Sequence, residues 1–328
     1  MKMRSLLLAL VLGTSLISFP AQAASQLSVG VAYDIGGRGD KSFNDASAAG
    51  LDKAKKQFDF NVEAVVTDGT TADRDKRIRS LIAKNCNPII AIGAGYSSTL
   101  QALAVEFPNT HFAIINDASV AALNVTSVIF ANTQGAYLAG FSAAQVSKSG
   151  KVAMIANSSQ ADIYKDGFSA GVFASKKKVI PIVKYVSGSY SAATNQVLDA
   201  GADVVYVATQ GSDSEVFKVI VARNAKKKGS VVGLINVEPD QYITVTNATK
   251  KFLIASVVKR VDKAIYDIIA LSTEKKQYLD ILDADAGIYG RRYGITGGGI
   301  EFTIRSKELS ALSGSINIAA ATAEKISA

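Results

Sequence analysis

Residues 27–44 read LSVGVAYDIGGRGDKSFN. The apolar run 27–32 is typical of a buried β-strand, and the run stops at Asp34 before a glycine-rich turn. A helix is predicted to begin near Phe43. Glycines let the backbone come close to a bound molecule, while Asp34 and Asn44 offer hydrogen-bonding groups and Phe43 offers a flat apolar face. This strand–turn–helix unit predicts a ligand site at the carboxyl end of the first strand.

Short apolar runs rich in β-branched residues recur along the whole chain, with helical spacing between them. These runs lack the in–out alternation of a half-exposed strand, which indicates parallel strands covered on both faces. Strand–helix alternation over this length predicts an α/β fold. The runs occupy residues 27–34, 62–67, 88–93, 112–116, 151–156, 179–186, 204–209, 231–235 and 253–258.

The alternating pattern occurs twice, with one set ending near Ala144 and a second beginning at Gly150. No Pro-rich or Ser-rich linker separates the two sets, which favours two lobes joined by several crossing segments. Each lobe is predicted to be a parallel sheet flanked by helices. The predicted boundaries are 24–145 plus about 254–280 for lobe 1, and 146–253 plus about 281–328 for lobe 2.

Composition excludes several classes of function. The formal charge of +8 lies largely in short, scattered lysine runs, which are typical of solvated loops and helix ends rather than of a nucleic-acid surface. One histidine, His111, and one cysteine, Cys86, provide no Cys/His set for zinc and no internal disulfide. No metal, cofactor or catalytic residue is predicted.

The first 23 residues have the layout of a secretory signal. Lys2 and Arg4 precede the apolar run 6–19, and small residues at 21–23 suit a signal peptidase. The apolar run is short for a membrane span, and Cys86 lies far from the cleavage site, so no lipid anchor is expected there. Removal of the signal lowers the formal charge to +6. The prediction is a soluble, exported, periplasmic protein.

The order of residues 33–44 resembles the opening motif of the basic membrane protein family. Members of that family are substrate-binding proteins of ABC transporters and include purine nucleoside receptors. The family motif has an Asp, a Gly pair and then Asp-x-Ser-Phe-Asn, and residues 34–44 contain every one of those elements in order. The resemblance continues through most of the chain, over residues 107–117, 134–140, 201–206, 240–241, 255–260 and 287–299.

The resemblance implies a type I periplasmic-binding fold that closes its two lobes around a small ligand. It implies a nucleoside, and more narrowly a purine nucleoside, as that ligand, and a membrane permease of an ABC importer as the partner. A monomer without nucleic-acid partners is expected.

Eight residues are predicted to bind the ligand. Ligands of open parallel sheets bind at the carboxyl ends of the strands, which brings several of these residues to one cleft, and the family resemblance supports the others. One phenylalanine from each lobe is expected to stack on a face of the base when the lobes close. The predicted contacts are Asp34, Phe43, Asn44, Asn116, Asp117, Phe217, Asp240 and Lys259.

Each of these residues also has a plainer interpretation. Phe43 has the spacing of a core residue of a helix, Asp34 and Asp117 suit the caps of turns, and Lys259 suits a solvated helix end. The chain departs from the family pattern at residues 211–217, which are more acidic, and at residues 237–239, which precede Asp240. Glu238 therefore competes with Asp240 as the carboxylate that holds the ligand.

Three other functions compete with nucleoside binding. The same fold binds sugars and other small polar solutes, and it also serves in transcriptional regulators, although no DNA-binding segment precedes the lobes. The carboxylates Asp34, Asp40 and Asp45 are faintly similar to the calcium-binding cluster of nucleoside hydrolases. Calcium requires six or more converging oxygen ligands, and Arg38 lies within this cluster, which disfavours an enzyme.

Overall fold

The computed structural model describes residues 26–157, 161–209, 213–226 and 231–326. The predicted signal at 1–23, residues 210–212 of the predicted pocket and the lysines at 227–228 lie outside the described residues.

The described strands form two sheets. In chain order they are Ser28–Tyr33 (β1), Asn61–Val66 (β2), Ile89–Ile92 (β3), Phe112–Ile115 (β4), Val125–Phe130 (β5), Lys151–Asn157 (β6), Ile180–Val186 (β7), Val204–Ala208 (β8), Gly233–Glu238 (β9), Leu253–Lys259 (β10), Asp280–Asp283 (β11), Ile288–Tyr293 (β12) and Ile300–Ile304 (β13).

Helices cover both faces of the sheets. They are Phe43–Lys55 (α1), Thr71–Ala83 (α2), Ser97–Glu106 (α3), Asn132–Val146 (α4), Ala161–Ala174 (α5), Tyr190–Asp199 (α6), Asp213–Lys226 (α7), Asn247–Lys250 (α8), Val261–Thr273 (α9), Lys307–Ser310 (α10) and Ser313–Ala323 (α11). Short 3₁₀ turns occur at Ala94–Tyr96 and Gln241–Ile243.

Each sheet is parallel except at one edge. The first has the order β11-β12-β5-β4-β3-β1-β2, and the second has the order β13-β10-β9-β8-β6-β7. Among the described strands, only the pairs β11–β12 and β10–β13 are antiparallel. The inner strands β3, β4, β8 and β9 are buried at every position, as expected of strands covered on both faces. The predicted fold of two α/β lobes is confirmed.

Four strands were not predicted, and one begins and ends later than predicted. The polar residues Thr126 and Ser127 interrupt β5, and β12 carries two arginines, so neither forms an apolar run; β11 and β13 are short edge strands. The run 231–235 belongs to a strand that extends to Glu238. Glu238 is therefore the last residue of a buried strand and not part of a loop.

The sheet membership differs from the predicted lobe boundaries. The chain crosses between the lobes after β5, after β10 and after β12, because β10 pairs with β9 in the second sheet and β12 pairs with β5 in the first. Helix α4 packs on α5 and on strands of the second sheet. Residues 132–145 and 254–259 thus lie with the second lobe, and residues 281–293 lie with the first.

Glycines bring α4 and α5 into backbone contact. A Cβ atom on Gly140 of α4 would lie 2.0 Å from the carbonyl oxygen of Phe168, and one on Gly171 of α5 would lie 2.0 Å from the carbonyl oxygen of Tyr137. No side chain fits between backbones at these distances. The close approach fixes the position of α5, which carries Tyr164 into the centre of the molecule.

We expect Gly140→Ala to destabilise the ligand-free protein, because the added methyl group must push α4 and α5 apart. Overpacking of this kind typically costs about 1–3 kcal/mol. Gly314→Ala in α11 is a matched control, since nothing lies within 4 Å of its added Cβ. Urea denaturation measures both variants. Equal stability of Gly140→Ala and the control would contradict the close packing.

Candidate functional site

Two carboxylates of the glycine-rich segment form the local structure of the β1–α1 loop. The Oδ1 atom of Asp40 accepts hydrogen bonds from the backbone N–H groups of Ser42 (2.8 Å) and Asp45 (3.1 Å), and its Oδ2 atom accepts from that of Asn44 (3.0 Å). Asp45 accepts from two further backbone N–H groups of the loop. These carboxylates stabilise the amino end of α1 and are not free to hold a metal ion.

Asn44 holds the end of β1 in place. Its side chain is 1% exposed. It accepts a hydrogen bond from the N–H of Asp34 (3.0 Å) and donates to the carbonyl oxygens of Asp34 (3.2 Å) and Ile35 (3.3 Å). The sequence analysis assigned Asn44 to the ligand. In the structure its amide faces the backbone of its own loop, so Asn44 orients Asp34.

Asp34 lies at the carboxyl end of β1 with its side chain about one-third exposed. Its Oδ1 atom accepts a hydrogen bond from Arg74 of α2 at 2.8 Å. Arg74 was not identified from the sequence, because an arginine in an ordinary amphipathic helix gives no sign of its partner 40 residues away.

Lys259 is buried where the chain leaves β10 to cross to the first lobe. Only 2% of the residue is exposed, which excludes the solvated position considered in the sequence analysis. Its Nζ donates to the hydroxyl oxygen of Tyr164 at 3.1 Å and lies 5.7 Å from the ring centre of Phe43. Lys259 of the second lobe therefore contacts the first residue of α1 in the first lobe.

Two buried carboxylates offset the charge of Lys259. Burial alone lowers the pKa of Lys259, but Tyr164 and the carboxylates of Glu238 and Asp213 outweigh burial and hold this pKa above its ordinary value. Glu238 is 3% exposed and Asp213 is 3% exposed. Burial raises the pKa of Glu238 to about 7, although Lys259 opposes the rise. Burial also raises the pKa of Asp213.

The two carboxylates differ in their hydrogen bonds. Asp213 accepts from the hydroxyl of Thr209 and from Nε2 of Gln241 at 2.6 Å, and Gln241 accepts in turn from Asn236 at 3.2 Å. Within the described parts of the chain, the carboxylate of Glu238 has no hydrogen-bond partner. The interactions of Glu238 with Lys259 and Asp213 are electrostatic.

The structure distinguishes Glu238 from Asp240. Asp240 lies just before the 3₁₀ turn, where its Oδ1 accepts from the N–H of Tyr242 (3.1 Å) and its Oδ2 accepts from Arg305 (2.8 Å). The guanidinium of Arg305 also lies 4.3 Å from the ring centre of Tyr242. The carboxylate of Asp240 is thus already paired with groups of its own lobe.

The two candidate stacking residues have different surroundings. Phe43 is half-buried and lies beside Lys259. Phe217, 5% exposed, packs in the apolar core of the second lobe and lines a cavity of about 510 Å³ with Asp213 and Gln241. Lys41 of the first lobe lines the same cavity. The other lining residues belong to the second lobe, so the cavity lies on that lobe with Lys41 at its edge.

Asn116 and Asp117 follow the carboxyl end of β4. Asn116 has a φ of 64°, a left-handed conformation in which the chain turns away from the direction of the strand. The carboxylate of Asp117 accepts from the N–H (2.9 Å) and the hydroxyl (2.6 Å) of Ser119. Asp117 caps this turn, as its plainer interpretation predicted.

The described residues lack two other kinds of functional feature, a metal site and a membrane span. Within them, no three His, Cys, Asp or Glu side chains lie close enough together to hold a metal ion. No helix in the same residues combines the length and the apolar character needed to cross a membrane.

The fold and the buried polar cluster between the lobes define a two-lobed ligand-binding protein. Residues 27–314 match the family model for ABC transporter substrate-binding proteins of the PnrA-like type, named Bmp. The chain therefore belongs to the Bmp family of ABC transporter substrate-binding proteins. This role is one of binding and not of catalysis, and its partner is a membrane permease.

Similar proteins agree with this assignment. The chain is 28% identical over 268 residues to a CD4+ T-cell-stimulating antigen of Listeria innocua, covering 75% of this chain and 74% of that protein. It is 26% identical over 261 residues to the ABC transporter nucleoside-binding protein BmpA of Lactococcus lactis, covering 74% of each. A solved ABC transporter solute-binding protein from Conexibacter woesei has a TM-score of 0.68 at 18% identity, covering 92% of this chain and 98% of that one. The last likeness shows the fold alone.

The raised pKa of Glu238 predicts a pH-dependent stability. Below about pH 4.5 this carboxyl group is protonated in both the folded and the unfolded chain, and between pH 4.5 and 7 only the folded chain keeps the proton. The free energy of unfolding should therefore fall as the pH rises through this range. The fall is on the order of 3 kcal/mol, since a difference of one in pKa corresponds to about 1.4 kcal/mol.

Glu238→Gln isolates this contribution, because the amide is neutral at every pH. Urea denaturation of the two ligand-free proteins at pH 5 and pH 8 measures it. The stability of the variant should fall less between the two pH values than that of the unchanged protein. The same fall in both proteins would mean that Glu238 is not buried as described.

Proposed function

We propose that this protein binds a purine nucleoside between its two lobes and delivers it to the permease of an ABC importer. One observation carries the proposal. The buried carboxylate of Glu238 has no hydrogen-bond partner among the described residues, and it interacts with Lys259, whose ammonium group lies beside the ring of Phe43. Polar groups that can bind the hydroxyls of a ligand thus lie next to the aromatic ring of Phe43.

These groups match the two ends of a nucleoside. Ribose hydroxyls are donors that a carboxyl oxygen of Glu238 can accept, and a lysine ammonium donates to the remaining sugar oxygens. The base is then placed toward the aromatic side chains.

An aromatic residue from each lobe supports a flat base as the second half of the ligand. Stacking on an aromatic side chain contributes about 1–3 kcal/mol per base. Phe43 begins α1 at the edge of the first lobe, and Phe217 lies in the first turn of α7 in the second lobe. We propose that closure of the lobes brings both rings to the base, with Asp34 and Asn116 beside it.

The Lactococcus lactis relative, named as a nucleoside-binding protein, also favours this ligand. Substrate-binding proteins of ABC transporters work outside the cytoplasmic membrane. We propose the periplasm for this chain on the basis of the signal-like residues 1–23, and we propose that it works as a monomer.

A thermal-shift screen tests the substrate. Inosine, guanosine or adenosine should raise the melting temperature by several degrees, because a ligand at a hundredfold excess over its dissociation constant adds about 2.7 kcal/mol of stability. Free ribose should have a much smaller effect, since it lacks the base. If sugars stabilise the protein and no nucleoside does, a sugar-binding role replaces this proposal.

Titration calorimetry compares the two candidate carboxylates. Glu238→Gln should weaken inosine binding at least tenfold, since a hydrogen bond to a charged group is worth about 1.5–3 kcal/mol. Asp240→Asn should affect affinity less, because Asp240 is occupied by Arg305. The sequence analysis favoured Asp240. A large loss with Asp240→Asn and none with Glu238→Gln would restore that assignment.

A further inference from the structure

Asp34 binds Arg74 through only one of its two carboxylate oxygens. Its Oδ1 atom is bound by Arg74 at 2.8 Å. Its Oδ2 atom accepts no hydrogen bond from the described residues. The side chain of Asp34 is 36% exposed, whereas that of Arg74 is only 12% exposed. A largely buried cation thus lies behind an accessible carboxylate.

The guanidinium of Arg74 is itself held in place. It donates to the carbonyl oxygen of Gly69 at 2.6 Å, and its centre lies 5.4 Å from the ring centre of Tyr96. Tyr96 is fully buried, and its hydroxyl donates to the carbonyl oxygen of Tyr33 at 2.8 Å. Arg74 is therefore fixed against the end of the strand that carries Asp34.

Two glycines leave room for this ion pair. A Cβ atom on Gly95 would lie 2.6 Å from the guanidinium of Arg74, and one on Gly93 would lie 3.3 Å from Oδ2 of Asp34. Larger residues at either position would displace the pair. Arg74 and Asp34 can therefore take these positions only because residues 93 and 95 are glycines.

We propose that Arg74 is a positioning residue that fixes Asp34 so that its second oxygen accepts a hydrogen bond from the ligand. An ionised carboxylate can only accept, so the ligand must present an N–H or O–H group at this point. The inference deepens the proposed function, on which the choice of inosine as probe rests.

Fold stabilisation alone does not account for this arrangement. The carboxylate of this pair is partly exposed, and ion pairs open to solvent contribute little to stability. The Nε atom of Arg74 is buried without a hydrogen-bond partner, and an unsatisfied buried donor is destabilising. This unsatisfied donor favours a role for Arg74 in orienting Asp34 over a role in stability alone.

Gly95→Ala is the sharpest test, because it removes no polar group. Its methyl group would displace the end of a flexible side chain, so the protein should fold with nearly unchanged ligand-free melting temperature. Inosine binding, measured by calorimetry, should weaken about tenfold, corresponding to the loss of a hydrogen bond to a charged acceptor. Gly314→Ala is the control and should bind as the unchanged protein does.

Substitutions of Arg74 itself also test whether it positions Asp34. Arg74→Met should weaken inosine binding as much as Gly95→Ala, and Arg74→Lys should recover part of the affinity, since it restores the charge without the planar geometry. In an Asp34→Asn background, Gly95→Ala should have little further effect, because the residues act as one unit. Unchanged affinity in both Gly95→Ala and Arg74→Met, or an undiminished effect in the Asp34→Asn background, would overturn the inference.

A ligand-free readout separates this inference from the proposed function. If the unchanged protein does not bind inosine, the proposed function fails, and crystal structures of ligand-free protein and ligand-free Arg74→Met decide the positioning role. The Asp34 side chain should adopt a different rotamer in Arg74→Met. The same single rotamer in both structures would show that Arg74 does not position Asp34.

Discussion

The burial of the Lys259 ammonium group is the constraint on which the centre of this molecule depends. An isolated charge in the interior is strongly unfavourable, so it must be paired and hydrogen-bonded. Its partners come from separate elements: Tyr164 from α5, Glu238 from β9 and Asp213 from α7, with the ring of Phe43 from α1. Four elements from two lobes must therefore meet at one point for Lys259 to be accommodated.

This point is also where the chain crosses between the lobes. Lys259 ends β10 in the second sheet, and α9 begins two residues later against α1 of the first lobe. Arg260, between them, pairs with Asp262 of α9 and with Glu301 of β13. A second crossing is held by a hydrogen bond from the N–H of Ala131 to the carbonyl oxygen of Tyr293 at 2.8 Å. The buried charges thus lie beside the segments that connect the two lobes.

Much of the fold could be predicted from the sequence, because parallel strands buried on both faces form apolar runs. Each run can be recognised from its own residues, without knowledge of the neighbouring strands. Edge and crossing strands such as β5 and β12 could not, since polar residues interrupt them. The site was predicted unevenly. The family motif covers the β1–α1 loop, but the motif alone does not reveal that Asn44 binds the backbone of Asp34. Arg74 and Glu238 depend on contacts between distant elements, which no local pattern records.

The crystal structure of the protein with bound inosine tests the central claim most directly. The account predicts ribose hydroxyls within hydrogen-bonding distance of the Glu238 carboxylate and the Lys259 ammonium group, with the base beside Phe43. An inosine molecule bound away from Glu238 and Lys259, with that pair unchanged from the ligand-free protein, would contradict it.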